Sequence, residues 1–299
     1  MSDGGLSREE FQVLRKSASG FCEGSDRQTL MRLYEYGYIN GGNRITDSGM
    51  EALVPYKVDN AVILAAGMAK RFLPLSAYMP KGLFQVKGEV LIERQIRQLQ
   101  ETGITEIVIV TGYQEDKFEY LADTYGIKLI SNPEYETANN ISSVWYARSY
   151  LKNTYILGSD NWYGSNIFEK YEYEPYYSRV FSRDYVDEYC IDMNEGYIEK
   201  IKKGGRNTWY TLGEIYFDRR LSAMVLEDLQ KEYQADDAVR AMIIDLYCIR
   251  HIDRYRFYTK EREKGVISEF DTMEELMEFD PRFGRFASEV MKRKGEDKK

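Results

Sequence analysis

The chain has 299 residues, 43% of them hydrophobic and 30% charged, enough to bury one large core and a small one. Its net charge of −8 makes the surface as a whole repel phosphate polymers and anionic membranes, so an anionic ligand requires a local positive pocket. The scattered Cys22, Cys190 and Cys248 exclude a disulfide framework or zinc knuckle and read as core thiols, and the single histidine, His251, excludes any mechanism needing two imidazoles.

In chain order, "SREEFQVLRKSA" carries a capping serine, Ser7, with Glu10 three residues later and Phe11, Leu14 and Ala18 at helical spacing. A second helix in "DRQTLMRLYEYG" ends at Gly37, and "YINGGNRITDSGMEAL" reads as strand, Gly-Gly turn, strand and a helix starting near Asp47. This order suggests a winged-helix-like domain over residues 1–57, with a shortened helix-turn-helix. Seven basic and eight acidic residues in that stretch leave it near −1. A duplex-binding module needs a basic face, so nucleic acid is an unfavoured partner and a packing or oligomerisation role ranks above it.

From residue 58 to 299 strands and helices alternate. "AVILAAG" is a continuous apolar strand, "LIERQIRQLQETG" a one-faced helix, and "EIVIVTG", "IKLIS" and "TYILGSD" are further strands with helical segments between them. Apolar strands in that alternation predict an α/β fold with a mainly parallel, mixed, Rossmann-like sheet, its ligands at the carboxyl ends of the strands. No apolar run approaches the roughly 18 residues of a membrane helix, and the first residues are too polar for a signal peptide. The expectation is a cytoplasmic protein without membrane partners; homo-oligomerisation stays open.

The first strand ends in Leu64-Ala65-Ala66-Gly67, where small residues let backbone N–H groups approach phosphate oxygens. Arg71 follows the turn, and Pro80 fixes the direction of Lys81, a second cation across the same site. Asp160 closes "TYILGSD" and Asp218 closes "TLGEIYFD", so both carboxylates are expected at the ligand edge as hard oxygen ligands for magnesium.

"LAAGMAKRFLPLSAYMPKGLF" resembles the signature of the nucleotidyltransferases that make nucleotide-diphospho sugars and CDP-alcohols, with Ala69 where a second glycine is common and Ser76 for threonine. Within that family the stretch from Val58 to Asp280 is most similar to bacterial CTP:phosphocholine cytidylyltransferases. The resemblance implies magnesium-dependent transfer of CMP from CTP to a phosphorylated amino-alcohol, with release of pyrophosphate. It implies Arg71, Lys81 and Asp160 as catalytic residues and Asp160 with Asp218 as metal ligands. Leu64, Ala65, Ala66, Gly67, Met68, Arg71, Lys81, Thr111, Gly112, Tyr113, Asn139, Ser142 and Ser159 would bind nucleotide, with the helix after Asn139 offering its N-terminus to an anion. Asp187, Tyr189, Trp209, Tyr216 and Phe217 would form the acceptor pocket. Phe217-Asp218 stands where the phosphocholine enzymes have Trp-Asp, which leaves the acceptor open. The alternatives are a sugar-1-phosphate nucleotidyltransferase on the same fold, or a winged-helix DNA-binding regulator with a ligand-sensing domain.

Overall fold

The computed structural model of the chain describes residues 5–20 and 26–296, with side chains as far as 292. Cys22 lies outside them; Cys190 and Cys248 are buried thiols. Two compact units divide the chain: Met1–Val58 with Glu169–Glu174, and Asp59–Phe168 with Pro175–Lys299.

The small unit holds α1 (Arg8–Ala18), α2 (Arg27–Glu35) and α3 (Asp47–Leu53). Ser7 and Glu10 close a capping box on α1, which buries Phe11 and Leu14 against Leu33, Ile39 and Leu53. The hairpin expected before Asp47 is a single antiparallel bridge, Ile39 to Ile45. The Asn40 side chain accepts from the Gly42 and Arg44 N–H groups, taking donors that strands would use between themselves. The segment 169–174, which the sequence reading left in the larger domain, packs here. Val58 donates to the Lys170 carbonyl at 3.0 Å, and Tyr173 stacks on Tyr56 with ring centres 5.5 Å apart.

The large unit opens with β1 (Asn60–Leu64), the ribbon β2 (Gln85–Val86) and β3 (Glu89–Val90), then α4 (Leu91–Glu101), β4 (Ile107–Thr111), α5 (Glu119–Tyr125), β5 (Lys128–Ser131), α6 (Ile141–Tyr146) and β6 (Thr154–Gly158). Next come β7 (Asn161–Tyr163), β8 (Tyr176–Ser182), β9 (Val186–Asn194), β10 (Tyr197–Gly205) and β11 (Thr208–Phe217). The chain finishes with α7 (Arg219–Glu232), α8 (Asp237–Arg240), α9 (Ile244–Arg250), β12 (Tyr258–Glu261), β13 (Ile267–Glu269), α10 (Met273–Phe279) and α11 (Phe283–Glu296). The main sheet has the order β5-β4-β1-β6-β11-β8-β12-β10-β9, and β11 also pairs with β9. Strands β5, β4, β1 and β6 are parallel, so their carboxyl ends share one edge.

Strand β11 runs antiparallel to β6, with Phe217 opposite Thr154, so its own carboxyl end lies at the far edge. Its register shifts between Thr211 and Ile215, around Gly213 at φ +95°, where a Cβ would come within 2.7 Å of Ile267. Running antiparallel to β6, β11 brings residues 211–215 to the ligand edge. No helix among the described residues is long and apolar enough to cross a membrane.

Candidate active site

The parallel strands end at a cleft of about 850 Å³, a volume suited to a nucleotide with a second small substrate. Leu64, Ala65, Ala66, Gly67 and Met68 line its floor with Lys70 and Arg71 beyond them. Ala69 adopts φ +47°, ψ +49°, the left-handed conformation that glycine enters freely and alanine enters at a cost of roughly 1–2 kcal/mol. The residue that departs from the expected glycine therefore keeps the glycine-like turn.

Lys81 starts the short turn after Pro80 and is buried, its Nζ 2.9 Å from Asp160 Oδ2 and 4.9 Å from the Phe72 ring centre. Gly82 permits this, because a Cβ there would lie 3.0 Å from Ser159 Cβ, and Gly158 leaves room for Asp160, whose Oδ1 would be 2.7 Å from a Cβ. Arg71 sits at the mouth, its Nη1 2.8 Å from Asp271 Oδ2, with both side chains largely exposed.

The second acid facing Asp160 is Glu269, which the sequence reading missed. Strand β13 pairs antiparallel with β7, setting Glu269 opposite Asn161, one residue from Asp160. Burial, and then the Asp160 charge, push the Glu269 carboxyl up to about 8, with Lys81 opposing the shift. The site thus holds two acidic side chains with one buried ammonium, which pairs with Asp160.

Asp218 is a correction. It caps α7, Oδ1 accepting from the Leu221 N–H at 2.7 Å, and burial raises its pKa. Because β11 is antiparallel to β6, Asp218 lies at the edge opposite Asp160, and the two cannot share an ion. For the same reason Tyr216 and Phe217 are core residues, packed on Tyr155 and Phe257 rather than in the cleft. Trp209 packs against Phe181 and under Arg179, and Asp187 is exposed beside Lys203; neither lines the cleft. Tyr189 does, with Glu188 and Lys203 on the same hairpin.

Ser159, Asn139 and Ser142 line the cleft as expected, but the N-terminus of α6 is not an anion site. Asn139 N–H donates to the Arg240 carbonyl and Ile141 N–H to that of Met242, while Asn140 Oδ1 accepts from Ile244 N–H at 2.7 Å. These bonds anchor the segment carrying α8 and α9. Thr111, Gly112 and Tyr113 stand behind the wall instead of lining it: Tyr113 N–H donates to the Ala66 carbonyl, and Gly112 lets Tyr135, a lining residue, press against the backbone. His251 lies away from the cleft, its ring between Tyr247 and Tyr255 and its Nε2 3.2 Å from Glu232.

The MobA-like NTP transferase domain matches residues 61–158. A choline-phosphate cytidylyltransferase of Streptococcus pneumoniae is 29% identical over 220 residues, 72% of this chain and 94% of that protein. A 2-aminoethylphosphonate cytidylyltransferase of Lancefieldella rimae is 31% identical over 234 residues, 74% of this chain and 92% of that protein. Among solved structures, the CTP:phosphocholine cytidylyltransferase from Streptococcus pneumoniae matches with a TM-score of 0.71 at 28% identity, over 74% of this chain and 97% of that one. The inositol-1-phosphate CTP transferase from T. maritima, at 17% identity and a TM-score of 0.59 over 75% of this chain and 97% of that one, shares the fold.

Proposed function

This chain belongs to the nucleotidyltransferase family that includes the choline-phosphate and 2-aminoethylphosphonate cytidylyltransferases, and on that premise we propose how its cleft works. The reaction is transfer of CMP from CTP to a phosphorylated amino-alcohol, or its phosphonate analogue, with release of pyrophosphate. The observation that carries this reading is the meeting of Lys81, Asp160 and Glu269 beside the small-residue turn at the carboxyl edge of the parallel strands.

An acceptor phosphate loses its second proton near pH 6, so its oxygen is already a nucleophile at neutral pH. That oxygen attacks the α-phosphorus of CTP. A new P–O bond forms, the bond from the α-phosphorus to the bridging oxygen breaks, and pyrophosphate leaves with the electron pair. No proton moves, so a general base is unnecessary and the lone histidine is no obstacle. The turn 65–69 positions the triphosphate, and Lys81 and Arg71 offset the charge growing on its oxygens.

Asp160 and Glu269 fit a magnesium ion. Two hard oxygen donors face each other with less positive charge than they need, and magnesium takes one or two carboxylates plus substrate phosphates. The ion would supply Lewis-acid neutralisation of phosphate charge. For the small unit, the order helix, helix, bridge, helix supports a reduced winged helix used in packing or oligomerisation. Use of CTP as substrate supports a cytoplasmic location.

Pyrophosphate release, measured with each of the four nucleoside triphosphates against phosphoethanolamine, phosphocholine and glucose-1-phosphate, tests the assignment. CTP with an amino-alcohol phosphate is the productive pair expected. A preference for glucose-1-phosphate with another nucleotide would transfer the chain to the sugar branch.

A further inference from the structure

We infer that Asp245 reads the acceptor's nitrogen, and that this nitrogen is a primary ammonium in preference to a trimethylammonium. The inference rests on the cytidylyl-transfer reading above and concerns which amino-alcohol enters the cleft.

Asp245 lies in the first turn of α9 and lines the cleft. Burial pushes its carboxyl up to about 6, and no cation among the described residues offsets the shift. Burial, then Cys248 and then the Asp245 charge raise the pKa of Tyr177, which lines the same cleft. An acid in the first turn of a helix is ordinary on an exposed face, where solvent and the helix dipole satisfy it. Here the carboxylate sits in a substrate-sized cleft without a counter-charge, and a cation bearing N–H donors would supply both charge and hydrogen bonds.

The surroundings decide between ammonium types. Ile243 and Ile244, beside Asp245, line the cleft with aliphatic surface. A trimethylammonium has no N–H to donate and relies on aromatic faces. Of the aromatic residues assigned to the acceptor from sequence, Tyr189 alone lines the cleft, and Lys203, its register partner across β9 and β10, places Nζ 5.1 Å from its ring centre. Phe72 is likewise covered by Lys81. Those two faces already hold a positive charge that would repel a quaternary ammonium; of the other lining aromatics, Tyr177 is buried with its ring packed against Phe257, and Tyr135 lies against Gly112 and Tyr113. A primary ammonium brings three donors to Asp245 and needs neither face.

Steady-state kinetics of the full chain with CTP and magnesium tests this on a ladder of acceptors: phosphoethanolamine, its N-methyl and N,N-dimethyl derivatives, and phosphocholine. We expect kcat/KM to fall about tenfold or more along the ladder, mainly through KM, as a charge-assisted hydrogen bond is lost. Asp245→Asn should lower kcat/KM for phosphoethanolamine by about 30-fold while changing that for phosphocholine by less than about threefold. Phosphocholine as the equal or better acceptor of the wild-type protein, or equal losses on both acceptors in the variant, would overturn the inference and leave cytidylyl transfer standing. Should Asp245→Asn fail to fold, seen as loss of its cooperative thermal transition, the wild-type ladder decides alone. No pyrophosphate from CTP with any acceptor would overturn both readings.

Discussion

Replacing Asp218 separates a structural carboxylate from a catalytic one. In the wild type its Oδ1 accepts from Leu221 N–H at 2.7 Å, capping the fourteen-residue α7. Loss of such a cap costs about 1 kcal/mol, within a range of roughly 0.5–2. In a domain somewhat above 200 residues, that converts to a fall in Tm of roughly 2–4 °C. Asp218→Ala should show that fall in differential scanning fluorimetry, and Asp218→Asn much less, because the amide oxygen can accept the same bond. Both variants should retain pyrophosphate release from CTP within about twofold, since the side chain lies across the sheet from the cleft; one interaction made only in the transition state would be worth about 100-fold or more. The companion Asp160→Asn supplies the contrast, with activity lost by about 100-fold and little change in Tm. A loss of activity in Asp218→Asn comparable to that of Asp160→Asn would refute the placement of β11 and the choice of Glu269 as the second acid.

Lys81→Met should lower kcat by about 100- to 1,000-fold, because it removes the buried ammonium facing Asp160; a rate within threefold of wild type in the pyrophosphate assay would contradict its role. Glu269 makes stability depend on pH with a definite sign. Its carboxyl ionises at 4.5 when unperturbed and at about 8 in the fold, so the folded state binds the extra proton between those values. The metal-free protein should therefore lose stability as pH rises from about 5 to about 9, and Glu269→Gln should flatten that slope; Tm against pH reads both. Gly112→Ala would set a Cβ 2.7 Å from Tyr135 Cβ, forcing the ring off the cleft wall. It should cost about 1–3 kcal/mol in chemical denaturation and raise the KM for CTP by moving a cleft-lining ring, whereas an unchanged KM would show that this part of the wall does not hold the nucleotide.

What was legible in the sequence was local. The strand into the small-residue turn, Arg71, and Pro80 before Lys81 form one continuous stretch, and Asp160 follows a parallel strand whose direction is set by the alternation of strands and helices. The failures share a cause in strand direction and long-range pairing. Phe217-Asp218 ends a strand just as Asp160 does, but β11 runs the other way, so its end residues become core and helix cap. Glu269 reaches Asp160 only because β13 returns to pair with β7 from more than a hundred residues downstream, and nothing in "VISEF" carries that register. The aromatic acceptor residues were chosen by position within one segment, yet Tyr189 lies on β9 at the cleft, Tyr216 and Phe217 at the far end of β11, and Trp209 outside the lining. Asp245 belongs to no motif in the sequence; its carboxylate becomes visible once burial is known.

The most direct test follows the phosphorus atoms themselves. Phosphorus NMR of CTP, magnesium and phosphoethanolamine with the wild-type chain should show a CDP-alcohol diester pair and pyrophosphate growing in equal amounts, and neither should grow with Asp160→Asn. Unchanged CTP in the wild-type sample, or the same products at the same rate from Asp160→Asn, would contradict the assignment of this cleft as the site of cytidylyl transfer.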